Sequence, residues 1–152
     1  MHMLRMLMRQ NGPTPDAAFL RMIREFVESY KGKNASTWDF KRLAEKYMTS
    51  GLDLRGDTKL DWFFDEWVFA AGVPAYSLDY KVETAGNAFI VSGTIKRTGV
   101  SENFTMPIPL YGDDVFLGRV PVGDDEATFR FQITKKPERV IIDPQATILT
   151  RP

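Results

Sequence analysis

Cysteine is absent from these 152 residues, and histidine occurs once, at His2. The first absence excludes disulfides and thiolate metal sites, without fixing a compartment. The second leaves imidazole chemistry to one isolated group. Excess charge is also lacking: formal net charge is zero, with 11 Lys/Arg against 10 Asp/Glu over residues 1–75 and 9 against 10 over 76–152. Neither half carries a basic footprint, which argues against nucleic acid as a partner. No apolar run approaches the roughly 18–20 residues that span a bilayer, so no membrane span is expected. The opening MHMLRMLMRQ does not read as a signal peptide, because arginines interrupt it and no small-residue cleavage site follows. There is no internal repeat and no low-complexity tract.

What the chain does have is aromatic density in one place. Leu60 to Pro74 reads LDWFFDEWVFAAGVP, with two tryptophans and three phenylalanines between Trp62 and Phe69. Each ring has on the order of 150–250 Å² to bury, so such a segment must plug into a larger body. It also divides the chain by periodicity.

Before it the pattern is helical. Met1 to Arg9 is apolar nearly all round, as in a buried helix end. Asn11-Gly12-Pro13 breaks it, and Thr14 with Pro15 offers an N-cap and a first helical residue. Ala18, Phe19, Met22, Ile23, Phe26, Val27 and Tyr30 then recur at spacings of three and four, and Gly32 closes the helix. Ser36 to Asp39 fits a capping box for a helix burying Phe40, Leu43, Ala44 and Tyr47.

After Pro74 the period is two. Tyr76, Leu78, Tyr80 and Val82 alternate with polar residues, and Phe89, Val91, Gly93 and Ile95 continue the pattern. Met106, Ile108 and Leu110 share a segment with Pro107 and Pro109, which predicts an edge or bulged strand. Further strands are expected at Val115–Val120, Thr128–Ile133, Val140–Ile142 and Thr147–Leu149. The expected class is α+β: a helical part over residues 1–74, then a seven-stranded Ig-like β-sandwich over 75–152.

Three motifs, in order, carry a family resemblance. His2-Met3-Leu4-Arg5 resembles the helix that follows the catalytic tyrosine of the aminopeptidase N-like (gluzincin) zinc metallopeptidases. Thr37-Trp38-Asp39-Phe40 resembles that family's T-x-x-D-F helix start. Phe63-Phe64, Trp67, Gly72 and Pro74 resemble its F-F-x-x-W-x-x-x-x-G-x-P signature, the most specific of the three. The resemblance implies that residues 1–74 are the end of a thermolysin-like catalytic domain and that the strands occupy the place of the family's β-sandwich domain. It implies zinc and aminopeptidase activity for a full-length parent, with the remainder of that catalytic domain as partner.

The family binds zinc through H-E-x-x-H and a later glutamate, with i, i+4 imidazoles facing one metal. This chain has no H-E-x-x-H. The family's catalytic residues all precede the segment matched by His2, so the chain reads as a C-terminal fragment, opening inside a helix. No catalytic, cofactor-binding or metal-ligating residue is therefore assigned, and no cofactor is expected in this chain. The resemblance also implies that Met3, Met6, Leu7 and Met8, without their neighbours, are exposed or mediate self-association.

Other candidates have blander readings. Asp53, Asp57, Asp61 and Asp65 recur every four residues, but a calcium loop starting at Asp53 fails: Arg55 takes the third position, Thr58 stands where Gly is required, and Phe64 replaces the bidentate Glu. An acidic turn with Thr58 or Asp57 as helix N-cap is expected instead. Asp61, Asp65 and Glu66 read as a solvated stripe opposite Phe63, Phe64, Trp67 and Val68 in the core. Lys135, Lys136 and Arg139 read as a solvated loop, and Arg119 and Arg130 as strand residues that face outward or pair with Asp or Glu. A competing function is a free-standing protein- or glycan-binding sandwich braced by helices. It requires an exposed aromatic platform, whereas Tyr76, Tyr80, Phe89, Phe129 and Phe131 fit an inward face. A hydrolase using carboxylates alone has no supporting constellation.

Overall fold

The computed structural model describes residues 1–49 and 51–151. It divides into two compact units, Met1–Phe69 and Ala70–Pro152. The class is α+β: four helices come first, then two antiparallel sheets of three strands each.

The first unit holds α1 (His2–Met8), α2 (Ala17–Tyr30), α3 (Thr37–Lys46) and α4 (Asp61–Phe64), the last continuing as a π-helical turn over Asp65–Phe69. α1 buries Leu4, Leu7 and Met8. The expectation that Leu7 and Met8 lie exposed is thus corrected, because the unit covers them itself. α2 starts at Ala17 rather than at Pro15, with Asp16 as N-cap. The Asp16 side chain makes no capping bond there and is an ion-pair partner, reaching Arg5 and, at 3.5 Å, Arg9. The capping box is as expected: Asp39 N–H donates to Ser36 Oγ at 3.2 Å, and Ser36 N–H donates to Asp39 Oδ2 at 2.9 Å. The Ser36 hydroxyl and N–H, ahead of the nearby Arg42, hold the Asp39 carboxyl down at about 2.

Aromatic contacts run continuously through this unit. Tyr30 meets Phe26, Phe26 meets Phe40 edge-on at 5.2 Å, Phe40 meets Phe64, and Phe64 leads through Phe63 to Trp62. Trp62 is fully buried, and its indole N–H donates to the Leu52 carbonyl at 3.1 Å, satisfying the one polar atom of the ring.

In the second unit, β1 (Ala75–Ala85) and β2 (Ala88–Thr98) form a hairpin over Gly86-Asn87, where Gly86 takes the positive φ of +60° that so short a loop needs. β5 (Glu126–Ile133) pairs with the far side of β2, giving the order β1-β2-β5. The other sheet has the order β4-β3-β6, from β3 (Met106–Gly112), β4 (Val115–Val122) and β6 (Val140–Ile142). Strands number six, not seven, among the described residues. Thr147–Leu149 is not a strand: the Asp143 carboxylate takes the Thr147 hydroxyl and the Ile148 N–H, turning the chain locally instead of pairing it.

β3 is the central strand of its sheet, not the expected edge. Its prolines survive there because β6 pairs only with Leu110 to Gly112. The Pro109 carbonyl accepts from Asp143 N–H at 3.0 Å, so Pro109 turns its backbone away from β4, on the side where no ladder bond is lost. The expected irregularity is present, as a register shift between Leu110 and Tyr111.

The two sheets pack face to face. Register places Leu78 opposite Ile95, Val82 opposite Val91, and Val91 opposite Phe131, all on one face. Tyr80 on that face accepts a hydrogen bond from Val140 N–H of the other sheet at 3.2 Å. Gly93 lies between Tyr80 and Phe129, and a Cβ there would fall 2.1 Å from the Asp79 carbonyl oxygen. Glycine at this point is what lets β1 come alongside β2.

Candidate functional site

Lys41 brings the charged residues of the first unit together. It is 7% exposed and sits on the inner side of α3. Its Nζ lies 2.8 Å from Glu45 Oε1 one turn along and 2.6 Å from Asp61 Oδ1 at the start of α4. Glu45 Oε1 also accepts the Leu60 N–H at 3.0 Å, and Lys59 Nζ lies 3.7 Å from Glu45 Oε2. The cluster therefore clamps α3 to the entry of the aromatic helix, satisfying a backbone donor at the helix N-terminus. Burial opposes both charges of the central pair, but bonding wins. The Lys41 ammonium is raised above its usual range by Asp61 and Glu45, and the Glu45 carboxyl is lowered by Leu60 N–H and Lys41. Lys41, ahead of Lys59, also lowers Asp61. Proton transfer near neutrality is the opposite of what these shifts favour.

The clamp explains what becomes of the acidic repeat. Asp61 is committed to Lys41, Asp53 Oδ1 takes the Thr58 N–H at 3.1 Å, and Asp57 Oδ1 takes the Lys59 N–H at 2.8 Å. Neither Thr58 nor Asp57 caps the helix: Thr58 adopts a left-handed φ of +58°, and the N-cap is Leu60. Among the described residues, no three His, Cys, Asp or Glu side chains are grouped so as to hold a metal ion. The chain's single histidine, His2, is exposed on α1. The described residues therefore do not fit a zinc site.

The π-helical turn revises the expected stripes. A wider turn rotates every position after Phe64 relative to an α-helical face. Glu66 consequently turns inward and is 8% exposed, where a solvated position was expected, while Val68 turns outward, where core was expected. Phe69 is 51% exposed and lies against Trp38, itself 53% exposed, with ring centroids 5.1 Å apart. Leu20 and Val27 on α2 are exposed as well. The exposed apolar side chains of the first unit thus include one contacting pair, Trp38 and Phe69, beside single residues such as Leu20 and Val27.

An open depression of about 270 Å³ lies over Arg21, Arg24, Glu25, Glu28 and Tyr47. The Tyr47 hydroxyl donates to Glu25 Oε2 at 2.5 Å, which lowers the Glu25 carboxyl and raises the phenol. Two arginines and two glutamates line it with one phenol, and that phenol is tied to Glu25.

In the second unit the buried charge is Arg97, a residue that sequence reading passed over. It is 3% exposed and lies opposite Tyr76, continuing the inward alternation one step beyond Ile95. Its guanidinium donates to the Phe104 carbonyl, approaches the Glu102 carbonyl at 3.5 Å, and lies over the Phe104 ring. This pins the segment between β2 and β3. Lys135, Lys136, Arg139 and Arg130 are exposed, as expected, while Arg119 is half-buried and its guanidinium lowered by that burial. No helix among the described residues is long and apolar enough to cross a membrane. No protein-family model matches this sequence, and no curated protein matches it.

Proposed function

We propose that this chain is the C-terminal structural portion of a zinc-dependent metallo-aminopeptidase of the aminopeptidase N-like family, bracing the catalytic part without supplying its chemistry. The observation that carries the reading is the signature Phe63-Phe64-x-x-Trp67-x-x-x-x-Gly72-x-Pro74 at the junction of a helical unit with two packed sheets. Two further points support it. The helical unit leaves Leu20, Val27, Trp38, Val68 and Phe69 in solvent, and the contacting Trp38–Phe69 pair suits seating against the rest of a larger domain. The paired sheets suit the place of an Ig-like sandwich in that architecture. In this reading zinc belongs to the parent enzyme, and no step of peptide hydrolysis is assigned to these residues.

Incubating the chain with zinc and an aminoacyl-arylamide substrate tests the second half of the proposal. No metal-dependent release of arylamine is expected, and measurable turnover would overturn it. The competing module reading gains little from the sheets: the Phe129 ring is buried, Phe89 and Phe131 are half-buried, and Tyr80 is 37% exposed with its hydroxyl taken by Val140 N–H, so that face offers one partly open ring and not a platform.

A further inference from the structure

We propose that the outer edge of β1 is a docking site for a second copy of this chain, the two β1 strands pairing antiparallel about Val82. The hydrogen-bonding phase of the edge follows from the hairpin. Ala85 and Ala88 flank a two-residue loop and are paired, so they must exchange backbone bonds, and the odd-numbered residues of β1 face β2. Leu78, Tyr80, Val82 and Thr84 therefore turn their N–H and C=O groups outward. β1 is the end strand of its sheet, and among the described residues no further strand pairs along that side. It contains no proline and no register shift, two of the usual devices that blunt an edge.

Charge fixes the register. Asp79, Lys81 and Glu83 are exposed together on the outer face of β1, where Lys81 Nζ lies 3.0 Å from Glu83 Oε1 of its own strand, an exposed pair that can be exchanged for the same pair across two copies. Pairing two copies about Asp79 sets Asp79 against Asp79. Pairing about Lys81 sets Lys81 against Lys81 and Asp79 against Glu83. Pairing about Tyr80 avoids like charges but brings the hairpin end of one strand to the start of the other. There Thr150 Oγ1 and Arg151 N–H already donate to the Pro74 carbonyl, so the C-terminal tail occupies the space. Pairing about Val82 sets Lys81 of each copy opposite Glu83 of the other and uses only the open stretch. It also places Tyr80 against Thr84 and Val82 against Val82 on the inner face. Tyr80 is 37% exposed and Val82 half-buried there, although both belong to the apolar row, so a second strand would complete their cover.

The test is the oligomeric state of the full chain by sedimentation velocity across a concentration series. The wild type is expected to show a concentration-dependent dimer. K81E opposes two carboxylates at both symmetric positions and should weaken the dimer roughly tenfold or more. The double variant K81E/E83K restores opposite pairing in the Val82 register alone, since about Tyr80 it would leave Asp79 facing Glu at 81, and it should recover dimerisation. V82P removes an outward N–H without removing a bond to β2, and should abolish the dimer while far-UV circular dichroism is retained. K81E alters only an exposed side chain, so a folding defect in V82P would not leave the question open. A wild type monomeric at every concentration, a dimer indifferent to K81E, or a failure of the double variant to recover would each overturn the proposal.

Discussion

Replacing Lys41 by Met removes the charge at the centre of the α3–α4 clamp while keeping the stem that packs there. Glu45 then loses its closest cation with its side chain only 10% exposed, and it keeps the Leu60 N–H and the more distant Lys59. Orphaning a buried ion-pair partner costs about 3–5 kcal/mol. Asp61 is half exposed, so its pairing counts for little, and Glu45 retains other partners. A loss of about 2–3 kcal/mol follows from these discounts. For a unit of this size the midpoint should fall by about 10–20 °C. All three tryptophans, Trp38, Trp62 and Trp67, lie in the first unit, so their fluorescence reports its unfolding selectively. The pH dependence gives a second readout. Glu45 and Asp61 have lowered folded-state values, so their contribution is present above the unfolded carboxylate range and is lost as pH falls through the folded values. Lys41 is raised, so its contribution is present below the usual lysine range and is lost only at more alkaline pH. Lys41→Met should therefore flatten the acid limb of the stability profile as well as lower it at neutrality. A change below about 0.5 kcal/mol at pH 7, the ordinary range for a surface substitution, would refute the clamp.

Three other outcomes follow from the same geometry. Gly93→Ala forces a Cβ against the Asp79 carbonyl and should destabilise the second unit by about 3 kcal/mol, read by calorimetry; a neutral substitution would show that β1 and β2 can separate at that point without cost. Arg97→Met removes the donor to the Phe104 carbonyl and should cost about 2 kcal/mol, with faster amide exchange over residues 101–105; unchanged exchange would show that the segment is held by other contacts. Ser36→Ala should cost about 1 kcal/mol and raise the Asp39 carboxyl from about 2 towards the ordinary aspartate range, followed by carbon NMR across a pH titration; an unmoved Asp39 would assign its low value to the partners that remain, the residue-36 backbone N–H, Tyr30 and Arg42.

Local chemistry was the legible part of the sequence. The Ser36–Asp39 box and the alternation from Tyr76 to Val82 rest on neighbours in the chain, and each forms as spacing dictates. Features set by distant partners were not legible. Pro107 and Pro109 exclude a strand only on the side their nitrogens face, and the sequence does not show that β6 stops short of them. The inward turn of Glu66 depends on a π-helical turn, which shifts the face by one position where a period of 3.6 is assumed. Lys41 and Glu45 stand at i, i+4 and could have been paired on that spacing, but their burial depends on Asp61 and Leu60 arriving from fifteen or more residues away. Arg97 could have been found by extending the β2 alternation one step past Ile95.

We propose that these residues belong to a zinc aminopeptidase whose chemistry lies elsewhere in the polypeptide. Reading the coding sequence upstream of Met1 tests it most directly. The account predicts, within the preceding couple of hundred codons, an H-E-x-x-H motif, a glutamate on a following helix, and then a tyrosine, in that order. An upstream frame that is closed by a stop codon, or open without those residues, would contradict it.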